Sequence, residues 1–241
     1  MNELLISSIK ERYRRTLAQI AEAAERAGRR SEEVQLVTVS KSQPLEVLQA
    51  ALAAGVSVFG ENYAEEAVQK MQAIGKSEVE WHMIGHVQSR KADLVAANFT
   101  MLHSLDSLKL AGRLDQSCKE RNRTLPVLLE FNVSGEESKY GFPAWEEEHW
   151  QELISLIEEI LAFSHLEVRG LMTMPPFFDE PERTRPYFQR LRRLQEHLAG
   201  NFPNVQWKEL SMGTSVDFIA AVEEGATYVR VGQAILGPRG G

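Results

Sequence analysis

Apolar positions recur along this chain in two alternating rhythms. Over residues 2–27, Leu5, Ile9, Tyr13, Leu17, Ile20 and Ala24 fall three and four apart, which predicts an amphipathic helix ended by Gly28. Short β-branched runs then alternate with further helical stripes. Strands are predicted at 34–41, 56–62, 80–86, 100–106, 126–134, 166–174, 207–212 and 227–236. Helices are predicted at 44–53, 63–73, 88–97, 107–121, 144–162, 181–199 and 214–224. Strand and helix in strict alternation is the signature of parallel βαβ units, and eight of them in 241 residues favour a closed (β/α)8 barrel. An open doubly wound sheet would carry a Gly-x-Gly-x-x-Gly turn after its first strand, and none follows residue 39 here. The expectation is an α/β chain with one TIM-type barrel domain over 1–241, preceded by an extra N-terminal helix.

In such a barrel, chemistry gathers where the strands end at their C-terminal side. The predicted strand ends bring Lys41, Asn62, His82, His86, Ser104, Asp106, Asn132, Ser134, Met174, residues 211–215 and residues 230–233 to that face. Lys41 closes the first strand, and Pro44 opens the helix after it, where a missing N–H is harmless. A lysine at a buried strand end is disfavoured in its charged form unless its amine has a task, and such amines form imines with aldehydes. The plainer alternative is a stem lying on the rim with its amine in water.

Ser211-Met-Gly-Thr-Ser215 is expected to join the seventh strand to its helix, with Gly213 allowing close backbone approach and Thr214 and Ser215 offering hydroxyls and N–H groups. That is an arrangement which holds a phosphate, or else a plain turn glycine with an N-cap serine. Gly232 and Gln233 stand at the neighbouring strand end, and strands seven and eight are the usual phosphate position in these barrels. Around a closed barrel, strand eight adjoins strand one and Lys41. A lysine, a phosphate cradle and an arginine (Arg230) together suit pyridoxal 5′-phosphate. An arginine against the pyridine nitrogen would leave that nitrogen unprotonated and the ring a weaker electron sink.

Composition closes off several alternatives. Hydrophobic residues make up 43% of the chain and charged residues 25%, an ordinary globular balance. A net charge of −7 speaks against nucleic acid as a partner. The basic segment Arg183, Arg185, Arg190, Arg192 and Arg193 reads as a solvated helix face beside Glu182 and Glu196. No apolar run approaches the roughly 18 residues of a membrane span, and the N-terminus lacks the pattern of a signal peptide. Cys118 is the single cysteine, which excludes an intrachain disulfide and a cysteine-based metal site. His82 and His86, four apart, would suggest a metal pair on a helix, but they fall on a predicted strand, so no metal is expected.

Seven stretches, Val39-Ser-Lys41, Phe59-Gly-Glu-Asn-Tyr63, Glu80-Trp-His-Met-Ile-Gly85, Asn132-Val-Ser-Gly-Glu-Glu-Ser-Lys-Tyr-Gly141, Arg169-Gly-Leu-Met-Thr-Met174, Leu210-Ser-Met-Gly213 and Val229-Arg-Val-Gly232, occur in an order that resembles the pyridoxal phosphate homeostasis proteins. These are single barrels similar to the N-terminal domain of alanine racemase. The resemblance implies that Lys41 carries pyridoxal 5′-phosphate covalently, as an internal aldimine. It also implies that Arg230 faces the pyridine nitrogen, that Ser215, Gly232 and the amide of Gln233 hold the phosphate, and that Asn62 lies near the ring. The cofactor-binding set expected is Lys41, Asn62, His82, Ser211, Gly213, Thr214, Ser215, Arg230, Gly232 and Gln233. The sequence departs from the family pattern at Thr214, where methionine is usual, at Val87 and Arg90, and at Leu236.

The family implies intracellular vitamin B6 homeostasis in the cytoplasm, by a monomer with no established catalytic turnover. The expected partners are the cofactor itself and, beyond it, free amino acids or pyridoxal-phosphate-dependent apoenzymes, with no nucleic acid and no membrane. Only Gly237-Pro-Arg-Gly-Gly241 follows the eighth predicted strand, so no second domain carrying an opposing acid or base is expected. A slow racemase or lyase stays open as a second class, and a phosphate-handling barrel without pyridoxal as a third.

Overall fold

The computed structural model describes residues 2–75 and 79–238; residues 239–241, the end of the tail after the last predicted strand, lie outside them. Helix α1 (Glu3–Arg26) is capped by Asn2, whose side chain accepts from the Leu5 N–H at 3.3 Å, and it buries Ile9, Ile20, Ala23 and Ala24. Then follow β1 (Gln35–Val39), α2 (Leu45–Ala53), β2 (Val58–Glu61), α3 (Ala64–Ile74), β3 (Glu80–Met83), α4 (Ala92–Asn98), β4 (Met101–Leu105), α5 (Leu108–Glu120) and β5 (Leu125–Asn132). The second half adds β6 (Phe142–Pro143), α6 (Leu153–Leu161), β7 (Leu166–Met172), α7 (Arg185–Asn201), β8 (Glu209–Thr214), α8 (Phe218–Glu223), β9 (Tyr228–Val231) and α9 (Gln233–Leu236).

All strand pairs are parallel, in the order β4-β3-β2-β1-β9-β8-β7-β5, and the β4–β5 pairing closes the ring. This is the closed eight-stranded barrel expected. Packing of α1 against α2, α8 and α9 covers one flank of the barrel. Arg12 donates to the Ile235 carbonyl at 2.6 Å, and Arg29 donates to the Val222 and Ala226 carbonyls at 2.9 Å.

Several boundaries differ from the sequence reading. The helix expected over 144–162 is a 3-10 turn at Glu147–Glu152 followed by the shorter α6, and β6 adds a two-residue strand beside β5. The seventh barrel strand runs on to Thr214, and its helix begins only at Phe218. The eighth ends at Val231, so 233–236 is helix rather than strand.

The basic segment near α7 is tied to acidic partners. Arg185 bridges Glu182, Glu223 and Glu224, and Arg193 pairs with Glu147. Cys118 is buried on α5. Among the described residues, no helix is long and apolar enough to cross a membrane, and no group of three or more His, Cys, Asp or Glu could hold a metal ion.

Contacts that skip neighbouring strands reveal the lumen. His103 on β4 bonds Ser211 on β8, although among the described residues β4 pairs only with β3 and β5. Such a bond can run only through the barrel. Met101, Leu128 and Met172 form a small apolar cluster with Tyr228 packed against it, and the rings of His82 and His103 stand edge-on to Tyr228. A polar layer of His82, His103, Ser211 and Arg230 therefore supports the open end of the barrel.

Candidate functional site

At the C-terminal strand ends lies a cavity of about 410 Å³, lined by residues from around the ring. Lys41 comes from the turn after β1, Asn62 follows β2, and Gly85 and His86 follow β3. Glu130 projects from β5, Met174 follows β7, Thr214 and Ser215 end β8, and Arg230, Gly232 and Gln233 close the circuit. Ser138, Lys139 and Tyr140 reach in from the loop after β5.

That loop is shaped by its own first residue. Asn132 Oδ1 accepts from the N–H groups of Ser134 and Gly135 at 3.1 and 3.0 Å, and its Nδ2 donates to the Glu136 carbonyl at 2.9 Å. Asparagine commonly folds backbone this way. Gly141, at φ +106°, then brings the chain so near β5 that a Cβ would lie 2.7 Å from the Glu130 carbonyl oxygen.

Seven of the ten residues expected from the sequence line the cavity: Lys41, Asn62, Thr214, Ser215, Arg230, Gly232 and Gln233. Three do not. His82 and Ser211 lie in the lumen below, both buried. Gly213, at φ +90°, packs against α8, where a Cβ would meet Ala221 Cβ at 2.5 Å and Phe218 Cα at 2.9 Å. Its lack of a side chain allows this close packing. Thr214 is also less available than expected, because both its N–H and its hydroxyl donate to Asp217 Oδ1, at 2.7 and 2.9 Å. Ser215 remains close to the last strand end, its Oγ accepting from the Gly232 N–H at 3.3 Å. No long helix starts behind this cradle, since α8 begins three residues beyond Ser215.

Arg230 is 3% exposed. Its guanidinium donates to Ser211 Oγ at 2.5 Å, to the Thr173 carbonyl at 2.9 Å and to Met174 Sδ at 2.9 Å. Burial pulls its pKa down to about 10, which still leaves a cation at neutral pH. A guanidinium only donates, so Ser211 Oγ accepts from it and keeps its own proton to pass onward. Ser211 accepts from Arg230 and donates to His103 Nδ1 at 2.8 Å, and His103 Nε2–H then donates to His82 Nδ1 at 3.0 Å. At the other end, His82 Nε2 faces the Glu80 carboxylate at 3.5 Å, which suits the same polarity. Both imidazoles are consequently neutral. Burial lowers His82 to about 4 and lowers His103 well below the usual histidine value, helped for His103 by the Arg230 charge.

Glu130 is the cavity residue that the sequence reading passes over. Burial, reinforced by Asp106, raises its carboxyl to about 7, while Arg230 pulls the other way. Its Oε2 and the Oδ1 of Asn62 are buried acceptors without a hydrogen-bond partner among the described residues. Buried polar atoms are rarely left so, and two of them in one cavity wall call for a ligand carrying hydrogen-bond donors. The His86 Nδ1 is 2.6 Å from Asp106 Oδ2, and its ring stacks on Tyr140.

The lining thus combines a primary amine, a donor-only cation, unpartnered acceptors and a serine beside glycine backbone. These groups fit a phosphorylated aromatic aldehyde bearing a ring hydroxyl. Residues 15–240 match the model of the alanine racemase N-terminal domain. A pyridoxal phosphate homeostasis protein of Aquifex aeolicus is 40% identical over 229 residues, covering 95% of this chain and 97% of that protein. PipY of Synechococcus elongatus, solved without pyridoxal phosphate, superposes with a TM-score of 0.83 at 31% identity, covering 95% of this chain and all of that one. The same protein solved with pyridoxal phosphate bound gives a TM-score of 0.77 at 32% identity, over 90% of this chain and all of the other.

Proposed function

The chain belongs to the alanine racemase N-terminal domain family and, within it, to the pyridoxal phosphate homeostasis proteins, and from that membership we propose that it binds and releases pyridoxal 5′-phosphate in vitamin B6 homeostasis. The observation carrying this reading is the convergence of Lys41, Arg230, Ser215 and Gly232 on one cavity of about 410 Å³. Bound there, the cofactor supplies an aldehyde that condenses with primary amines and a ring that withdraws electrons.

Lys41 offers the amine from the turn beyond β1. Ser215, with the backbone of Gly232 and Gln233, would hold the phosphate. Arg230 presents only donors, so facing the ring nitrogen it would favour the unprotonated form and a weaker electron sink. Asn62 and Glu130 would take the cofactor's donors. Lys139 and Tyr140 narrow the mouth without sealing it, which suits exchange with free amino acids or acceptor apoenzymes better than sustained turnover.

Purified protein loaded with pyridoxal phosphate should be yellow and retain the colour through dialysis, whereas Lys41→Ala should lose it. Retention by Lys41→Ala equal to that of the native chain would overturn the assignment. A slow racemase or lyase is the second reading, favoured by the near-neutral carboxyl of Glu130 in the same cavity. Deuterium exchange at the α-carbon of added amino acids, with Lys41→Ala as control, decides between the two.

A further inference from the structure

Lys41 is flanked on both sides by backbone that is tied to a single buried ion cluster. On one side, the Ser40 carbonyl accepts from Lys70 Nζ at 2.7 Å and from the Gln43 N–H at 3.1 Å, while Ser40 Oγ donates to Glu61 Oε1 at 2.7 Å. On the other, the Ser42 N–H donates to Glu66 Oε1 at 2.8 Å. Ser42 sits at φ +56°, a left-handed conformation that non-glycine residues seldom adopt without support. Lys70 binds these anchors to each other, its ammonium lying 2.7 Å from Glu61 and 2.6 Å from Glu66.

The cluster lies deep in the fold for ionised groups. The Glu61 side chain is fully buried and that of Lys70 is 8% exposed. Burying such a pair gains little stability over apolar packing, so its presence points to a specific geometric task. Its members come from β2 and α3, the elements on either side of Asn62. The turn carrying Lys41 and the strand end carrying Asn62 are therefore held in one register by one set of charges.

We infer that Lys70, Glu61 and Glu66 are positioning residues that fix the 40–42 turn so that the Lys41 amine is presented to an incoming aldehyde. This rests on the reading of Lys41 as the cofactor-binding lysine. None of the three acidic or basic side chains lines the cavity among the described residues, so they act through the backbone they hold and not by touching the ligand.

Glu66 gives the cleanest test, because it is on a helix face where alanine is well tolerated. Glu66→Ala removes the Ser42 anchor, whereas Glu66→Gln keeps an acceptor oxygen there. The measurements are the rate of colour development when apoprotein meets pyridoxal phosphate, and the rate of Lys41 reductive methylation by formaldehyde with cyanoborohydride as the hydride donor, read by peptide mass. Thermal midpoints serve as the folding control. Glu66→Ala should slow both rates about tenfold, as misplacement of a reacting group does, and Glu66→Gln should restore most of the loss. A charge-neutral pair, Glu61→Gln with Lys70→Met, should slow both rates at least as much. Native rates in a folded Glu66→Ala protein, or equal losses in Glu66→Ala and Glu66→Gln, would overturn the inference. Should the pair fail to fold, the Ala and Gln comparison decides alone. Capture by Lys41→Ala at the native rate would instead overturn the reading of Lys41 itself.

Discussion

His86 lies face to face with Tyr140, their ring centroids 3.9 Å apart and their planes 9° from parallel. Asp106 holds the far edge of the imidazole at 2.6 Å, so the ends of β3 and β4 and the loop after β5 meet over the cavity. A stacked pair contributes about 1 kcal/mol beyond its area, which is roughly a fivefold change in a rate or affinity. Tyr140→Ala is expected to speed release of pyridoxal phosphate several-fold while lowering the melting temperature by no more than about 2–4 °C. Loss of visible absorbance after dilution into an aldehyde trap measures it.

Ser215 and Gly213 should separate retention from stability. A hydrogen bond to a charged group is worth about 1.5–3 kcal/mol, so Ser215→Ala should weaken cofactor retention by roughly tenfold or more while the fold stays intact. Gly213→Ala places a methyl 2.5 Å from Ala221 Cβ at a positive φ. Overpacking costs about 1–3 kcal/mol, which in a chain of this size lowers the melting temperature by several degrees. Its effect on retention by the folded fraction should be small. Equilibrium dialysis and thermal melts on both variants check the contrast.

Much of this site is legible in the sequence, and the remainder fails for identifiable reasons. The alternation of strand and helix stripes is enough to place Lys41, Asn62 and Arg230 at one end of a barrel. The seventh strand, expected to end at 212, continues to Thr214 through a register shift between Ser211 and Thr214, with Gly213 at a positive φ inside it. A propensity pattern cannot show such a slip, and one residue decides whether a side chain faces lumen or ligand. Glu130 is visible as an acid in the apolar run Pro126–Asn132, but its direction depends on barrel closure. The His86–Asp106 pair spans adjacent strand ends 20 residues apart, a contact no local motif encodes.

Glu130 should leave a mark on stability as a function of pH. Its folded-state pKa of about 7 stands above the ordinary carboxyl value of 4.5, so the native state holds the proton more tightly than the unfolded chain. The corresponding stability is complete below pH 4.5 and is lost as pH rises through about 7, to an extent on the order of 3 kcal/mol. Glu130→Gln should therefore become progressively more stable relative to the native chain across that window. Denaturant midpoints of the two proteins at matched pH test the sign; a constant difference contradicts it.

The lumen relay predicts the protonation of two histidines. Arg230 at one end can only donate and Glu80 at the other can only accept, so His82 and His103 should both be neutral and carry hydrogen on Nε2. Nitrogen chemical shifts of labelled histidine should report that tautomer for both rings at pH 6. Because burial depresses both folded-state values, their contribution is present above the ordinary histidine value of 6.5 and is lost with acidification, through about 4 for His82. Ser211→Ala should disturb the His103 signal and loosen Arg230 together.

The central claim is that one amine, that of Lys41, captures the aldehyde of pyridoxal phosphate at the barrel mouth. Borohydride reduction of the loaded protein, followed by peptide mapping, tests it directly. The account predicts one stable phosphopyridoxyl adduct, on Lys41 and absent from Lys41→Ala. A full-yield adduct on Lys139 or another lysine, with Lys41 unmodified, would contradict it.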